Sequence, residues 1–143
     1  MKTGLQISVL YTDSHLLKLR VYASNGVFAG QSDVYADCDA LAELGRTLKG
    51  FPSSRDDTRE FEVGAFDANY AGGGAGFRFF CVDSTGHALA QVRLRTDSRR
   101  EADVNDMVTL HVPVVAAAID SFVERLVLMA ASPGESAFLE AAA

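Results

Sequence analysis

The sequence predicts an α+β fold: a mostly antiparallel sheet of about seven strands, ordered β-ββ-α-β-βββ-α, with two helices packed on one face. Residues 16–35 and 77–96 each read as two alternating apolar segments around a turn signal, Asn25-Gly26 and Thr85-Gly86. Residues 38–48 and 115–129 instead repeat apolar side chains at intervals of three and four, the helical period. Because hairpins dominate the order of elements, neighbouring strands are expected to run antiparallel.

Leu5, Ile7, Val9 and Tyr11 alternate with Gln6 and Ser8 as a first strand, ended by the turn cluster Thr12-Asp13-Ser14. In the first hairpin Asn25-Gly26 suits a two-residue type I′ turn, which sets Ala23 against Phe28 and Leu17 against Val34. One face then collects Leu17, Leu19, Val21, Ala23, Phe28, Ser32 and Val34, and the other pairs Lys18 with Asp33 and Arg20 with Gln31. Asp37 is the expected N-cap of a helix running to about Lys49, with Cys38, Leu41, Leu44, Gly45 and Leu48 on its apolar stripe. Gly50 and Pro52 end that helix. A polar loop, 52–58, leads to a short strand through Phe61 and Val63, and 64–76 is a glycine-rich connection. The second hairpin places Phe79 against Val92, Phe77 against Leu94 and Cys81 against Ala90. After a charged loop, 97–106, Val108, Leu110 and Val112 alternate in a last strand. Pro113 fits the first position of a second helix, with Val115, Ile119, Phe122, Leu126 and Met129 on its stripe. Ser132 to Glu135 has capping-box spacing, so 131–143 reads as a short C-terminal helix or tail that packs Phe138.

Composition sets the outer limits. The 143 residues suit one globular domain, 1–143, and 48% hydrophobic with 22% charged residues excludes global disorder. No apolar run approaches the roughly 20 residues of a membrane helix, so no membrane span is expected. The start, MKTGLQISVL, reads as a strand and not as a signal peptide, which points to a cytoplasmic protein. A net charge of −6 argues against nucleic acid as a partner, since phosphates need a cationic surface. Cys38 and Cys81 both fall in apolar phase and read as buried, reduced thiols.

Little in the chain points to catalysis. The run Gly72, Gly73, Gly74 and Gly76 invites a phosphate-loop reading, but no Lys-Ser/Thr follows it and it leads into a strand. Tyr70, Gly72, Gly73 and Gly74 remain loop candidates for closing on a partner. His15, His87 and His111 have no metal-ligand spacing, and no G-x-S-x-G elbow is present. No catalytic, cofactor-binding or metal residue is therefore assigned, and no cofactor is expected. A different feature is a local conflict of charge. In the expected register Arg78 stands opposite Arg93, and Arg95 shares their outer face, with Arg99 and Arg100 following. Like charges directly opposite repel. Either Glu60 and Glu62 neutralise them from a neighbouring strand, or Arg78, Arg93 and Arg95 form a cationic patch for a partner, with Phe80 and Tyr22 as its aromatic surface.

Four segments carry a resemblance: the hairpin leading into DVYADCDALAELGRTLKGF (33–51), FEVGAFDANY (61–70), GFRFFCVDSTGHALAQVRLR (76–95) and VTLHVPVVAAAIDSFVERL (108–126). Over about residues 16–130 the chain resembles small bacterial domains of the WapI-type immunity-protein group, which guard toxin-secreting bacteria against their own toxins. The GGGAG loop and the basic 93–100 stretch do not map onto that group. The resemblance implies a non-enzymatic protein that binds and blocks a toxin-like protein. An acidic surface suits a cationic partner of that kind through electrostatic steering, and a homo-oligomer is compatible with it. The competing expectation is a small-molecule-binding or enzymatic α+β domain with a pocket under the 64–76 loop.

Overall fold

A computed structural model describes residues 2–67, 72–97, 104–129 and 132–143. It is α+β, with two antiparallel sheets of four strands and two helices. The strands are β1 (Gly4–Thr12), β2 (Leu16–Ser24), β3 (Ala29–Asp37), β4 (Thr58–Gly64), β5 (Gly74–Cys81), β6 (His87–Arg95), β7 (Met107–Val115) and β8 (Ser136–Glu140). The helices are α1 (Ala40–Leu48) and α2 (Ala116–Leu128). One sheet has the order β3-β2-β1-β8 and the other β4-β5-β6-β7. The single sheet expected from the sequence is thus split between β3 and β4, where α1 intervenes.

The inner phases are those the alternation predicts. Leu17, Leu19, Val21, Ala23 and Val34 from one sheet, and Phe77, Phe79, Val92 and Leu94 from the other, are buried in one hydrophobic cluster. Ile119, Phe122, Leu126 and Met129 of the second helical stripe join them, and so do Leu41, Leu44 and Leu48 of α1. The two sheets are stitched at two corners. Gly73 N–H donates to the Asp33 carbonyl at the β3 edge (3.0 Å), and Ala142 N–H donates to the Pro113 carbonyl at the β7 edge (2.7 Å).

Both hairpins form with the predicted faces but with partners displaced by two. Leu19 lies opposite Val34 and Arg20 opposite Asp33, while Lys18 faces Tyr35. The Asn25 side-chain oxygen accepts from the N–H groups of Val27 and Phe28 (3.0 and 2.9 Å), which moves the turn one residue along the chain. Phe28 thereby leaves the inner face and is 64% exposed. In the second hairpin Phe79 faces Ala90, Phe77 faces Val92 and Cys81 faces Ala88. There Asp83 Oδ1 accepts from Thr85 N–H and hydroxyl, both at 2.8 Å, and the turn widens to span 83–86.

Four further expectations need correction. Asp37 ends β3 instead of capping α1; Asp39 precedes the helix, without a side-chain cap bond. Cys38 is consequently exposed, and Cys81 is only partly buried at the end of β5; both are free thiols. Pro113 lies inside β7, tolerated because an edge strand leaves one row of N–H groups unpaired. The C-terminal segment is not a helix. Pro133 and Gly134 make a turn (Gly134 φ 88°), and Ser136–Glu140 pairs with β1, burying Ala137 and Leu139. Alternation at 136–140 satisfies the backbone through the β1 edge, which an isolated terminal turn of helix could not do.

Candidate functional site

Because Phe61, Val63, Ala75, Phe77, Ala90 and Val92 point inward, their strand neighbours Glu60, Glu62, Arg78, Gln91 and Arg93 share the outer face of the second sheet. The displaced register puts Arg93 opposite Gly76 and Arg78 opposite Gln91, so the two arginines do not confront each other. Arg78 Nε lies 3.6 Å from Glu60, and Arg93 Nη2 donates to Glu62 at 3.1 Å. The expected neutralisation from β4 is therefore present. Each guanidinium also covers a ring: Arg78 sits 4.7 Å from the Phe80 centroid and Arg93 4.1 Å from that of Phe66. Phe80 in turn meets His111 edge-on at 6.5 Å. Gly76, having no side chain, leaves an open trough of about 350 Å³ between Glu60, Glu62, Arg78 and Arg93.

Two predicted members of this patch are elsewhere. Tyr22 lies on the first sheet, where its hydroxyl donates to the Lys2 carbonyl at 3.4 Å. Arg95 follows Arg93 in outward phase but is 1% exposed. The chain turns back over it, and its guanidinium donates to the carbonyls of Ala65 (2.9 Å), Gly72 (3.0 Å), Thr96 (3.2 Å) and Asp67 (3.4 Å). Burying that charge is tolerable because its donors are used. Phe66 carries no signal in the sequence: period-two alternation ends at Gly64, and nothing in the loop composition marks a ring that meets Arg93 of β6.

The glycine run belongs to this junction. Gly73 is buried where β3, β5 and β6 converge; a Cβ there would collide with the Arg95 carbonyl and the Ser32 hydroxyl, which are hydrogen-bonded to each other. Gly72 has φ +83°, and a Cβ on it would come within 2.7 Å of the Tyr35 ring. Gly74 opens β5 opposite Gly64. These three loop candidates thus serve close backbone approach. Tyr70, Arg99 and Arg100 lie outside the described residues.

Beside the trough a second open groove, of about 470 Å³, runs between the end of β3, the start of α1 and the edge of β4. Asp37, Asp39, Glu43 and Glu62 line it over a floor that includes Tyr35 and Phe61. Phe61 and Glu62 belong to both concavities, so the two form one continuous surface. Asp37, Asp39 and Glu43 are exposed.

Other polar clusters are local. His87 Nδ1 lies 2.8 Å from Asp83 and 3.1 Å from the Thr85 hydroxyl. A catalytic triad needs acid and nucleophile on different ring nitrogens, whereas here both converge on one. Hydrogen bonds from Thr85, chiefly its N–H, hold the Asp83 carboxyl well below the usual carboxylate range. Asp57 is lowered to about 2, first by the Arg59 hydrogen bonds and then by Ser53 N–H. Arg59 also donates to the Thr47 and Lys49 carbonyls and so closes the end of α1. Burial and the nearby Asp57 push the Cys81 thiol up, away from a reactive thiolate. Among the described residues no group of three His, Cys, Asp or Glu side chains could hold a metal ion, and no helix is long and apolar enough to cross a membrane. Comparison with protein families, curated proteins and solved structures finds no match to this chain.

Proposed function

We propose that the chain is a non-catalytic protein-binding domain that captures a cationic partner on the surface around Glu62, as a toxin-neutralising immunity protein does. The observation carrying this reading is the union of the trough and the groove. Five carboxylates (Asp37, Asp39, Glu43, Glu60 and Glu62), three of them paired with Arg46, Arg78 and Arg93, line a broad, open surface that also carries two Arg–Phe stacks. Arginine and aromatic side chains suit the core of an interface. Carboxylates at its margin accelerate encounter with a basic protein. The competing small-molecule reading needs room beneath the 64–76 loop, and among the described residues the Arg95 guanidinium occupies that place.

The test is co-expression with candidate toxins, taken first from any that the neighbouring genes encode. Wild type is expected to protect the cells. The double substitution Asp39→Lys with Glu43→Lys is expected to abolish protection while lowering the melting temperature only modestly, through loss of the exposed Glu43–Arg46 pair and of acidic charge at the start of α1. Undiminished protection by a folded double variant contradicts the reading.

A further inference from the structure

Away from the surface around Glu62, α2 ends in an apolar feature that the core does not use. Val127 is 58% and Leu128 70% exposed, although both stand in the last turn of a helix that buries its other large apolar residues, Ile119, Phe122, Val123 and Leu126. They border a groove of about 400 Å³ between the end of α1 and α2, with the nearly buried Val123 in its lining. At Gly50 the α1 side of the groove is open, with no atom within 4 Å of where a Cβ would stand. Charges of both signs flank this apolar centre: Lys49 from α1, and Asp120 and Glu124 from α2. None of the three takes part in an ion pair among the described residues.

We infer that this groove is a homodimer interface, in which Val123, Val127 and Leu128 of two copies meet about a two-fold axis and Lys49 of each faces Asp120 and Glu124 of the other. A two-fold contact uses one patch on both subunits, so the patch must complement itself. This one does: an apolar ridge beside an apolar groove, with a cation on one bank and carboxylates on the other. A partner of a single charge sign would leave one bank opposed by like charge. The small apolar centre places the dimer among weak associations, with a Kd on the order of 10 μM. The inference stands independently of the proposed recognition surface, because no residue is shared between them.

Sedimentation equilibrium of the purified full chain, from about 2 to about 200 μM, brackets that Kd and tests the inference. A reversible monomer–dimer equilibrium is expected. Leu128→Glu should weaken it at least ~10-fold, corresponding to one buried apolar side chain exchanged for a desolvated charge. Lys49→Glu should weaken it, Asp120→Lys with Glu124→Lys should do the same, and the three together should restore it by exchanging the banks. Circular dichroism checks that each variant is folded, which the exposure of the substituted side chains favours. A wild type that stays monomeric throughout overturns the inference. So does a dimer that Leu128→Glu leaves intact, or a charge swap that fails to restore association.

Discussion

Arg93 and Arg95 stand two residues apart on β6 and share its outward phase, yet one is a surface group and the other is among the most buried side chains of the protein. Arg93 stacks on Phe66 and binds Glu62 at the rim of an open trough. Arg95 gives its donors to carbonyls of the chain that folds over it. The difference lies in what covers each position. Alternation specifies the side of a sheet on which a residue stands; it carries no information about a connection that returns across that side. Arg95 ties down the two ends of the β4–β5 connection, whereas Arg93 stays at the surface.

Substitutions at and around these two positions should separate the two roles. The largest effect is expected for Arg95→Met, which leaves the Ala65 and Gly72 carbonyls without their donor; urea unfolding should show a loss of about 3 kcal/mol or more. Gly73→Ala should follow, at roughly 2–3 kcal/mol, because its methyl group meets backbone and the Ser32 hydroxyl with no flexible neighbour to yield. Ser32→Ala, which frees the Arg95 carbonyl, should cost about 1 kcal/mol in the same assay. Arg59 offers an intermediate case, being partly exposed and held by Asp57 as well as by carbonyls. The Asp57 pKa is depressed in the folded chain, so its contribution is fully present above about pH 4 and is lost as pH falls through about 2. Wild type should therefore lose on the order of 1 kcal/mol more than Asp57→Asn across that window, since solvent screens part of the shift. Arg93→Ala should be the mildest, at most about 0.5–1 kcal/mol, with its main consequence in partner binding.

The same contrast explains what was legible in the sequence. The strand phases, both helical stripes and the outer-face company of Arg78, Arg93, Phe80, Glu60 and Glu62 follow from local periodicity. Pairing partners do not. A turn that slides by one residue at Asn25, or widens around Asp83, shifts the partner by two and returns every side chain to the same face. The hydrophobic pattern is blind to that displacement, and side-chain acceptors in the turns decide it. At 136–140 the residues fit either a capped helix or an alternating strand, and only the free β1 edge selects the strand. Burial of Arg95, the tight packing at Gly73 and the place of Phe66 depend on contacts between distant segments, which composition cannot report.

In the proposed function, the partner binds at the surface around Glu62. Hydrogen–deuterium exchange is the decisive measurement, made on the chain free and saturated with a toxin against which it protects cells. Slowed exchange is predicted in 36–43 and 58–64, the segments that carry the groove and its shared edge, with α2 and the β1–β2 strands unchanged. Protection confined to α2 or to the first sheet, with 36–43 and 58–64 unaffected, would contradict it.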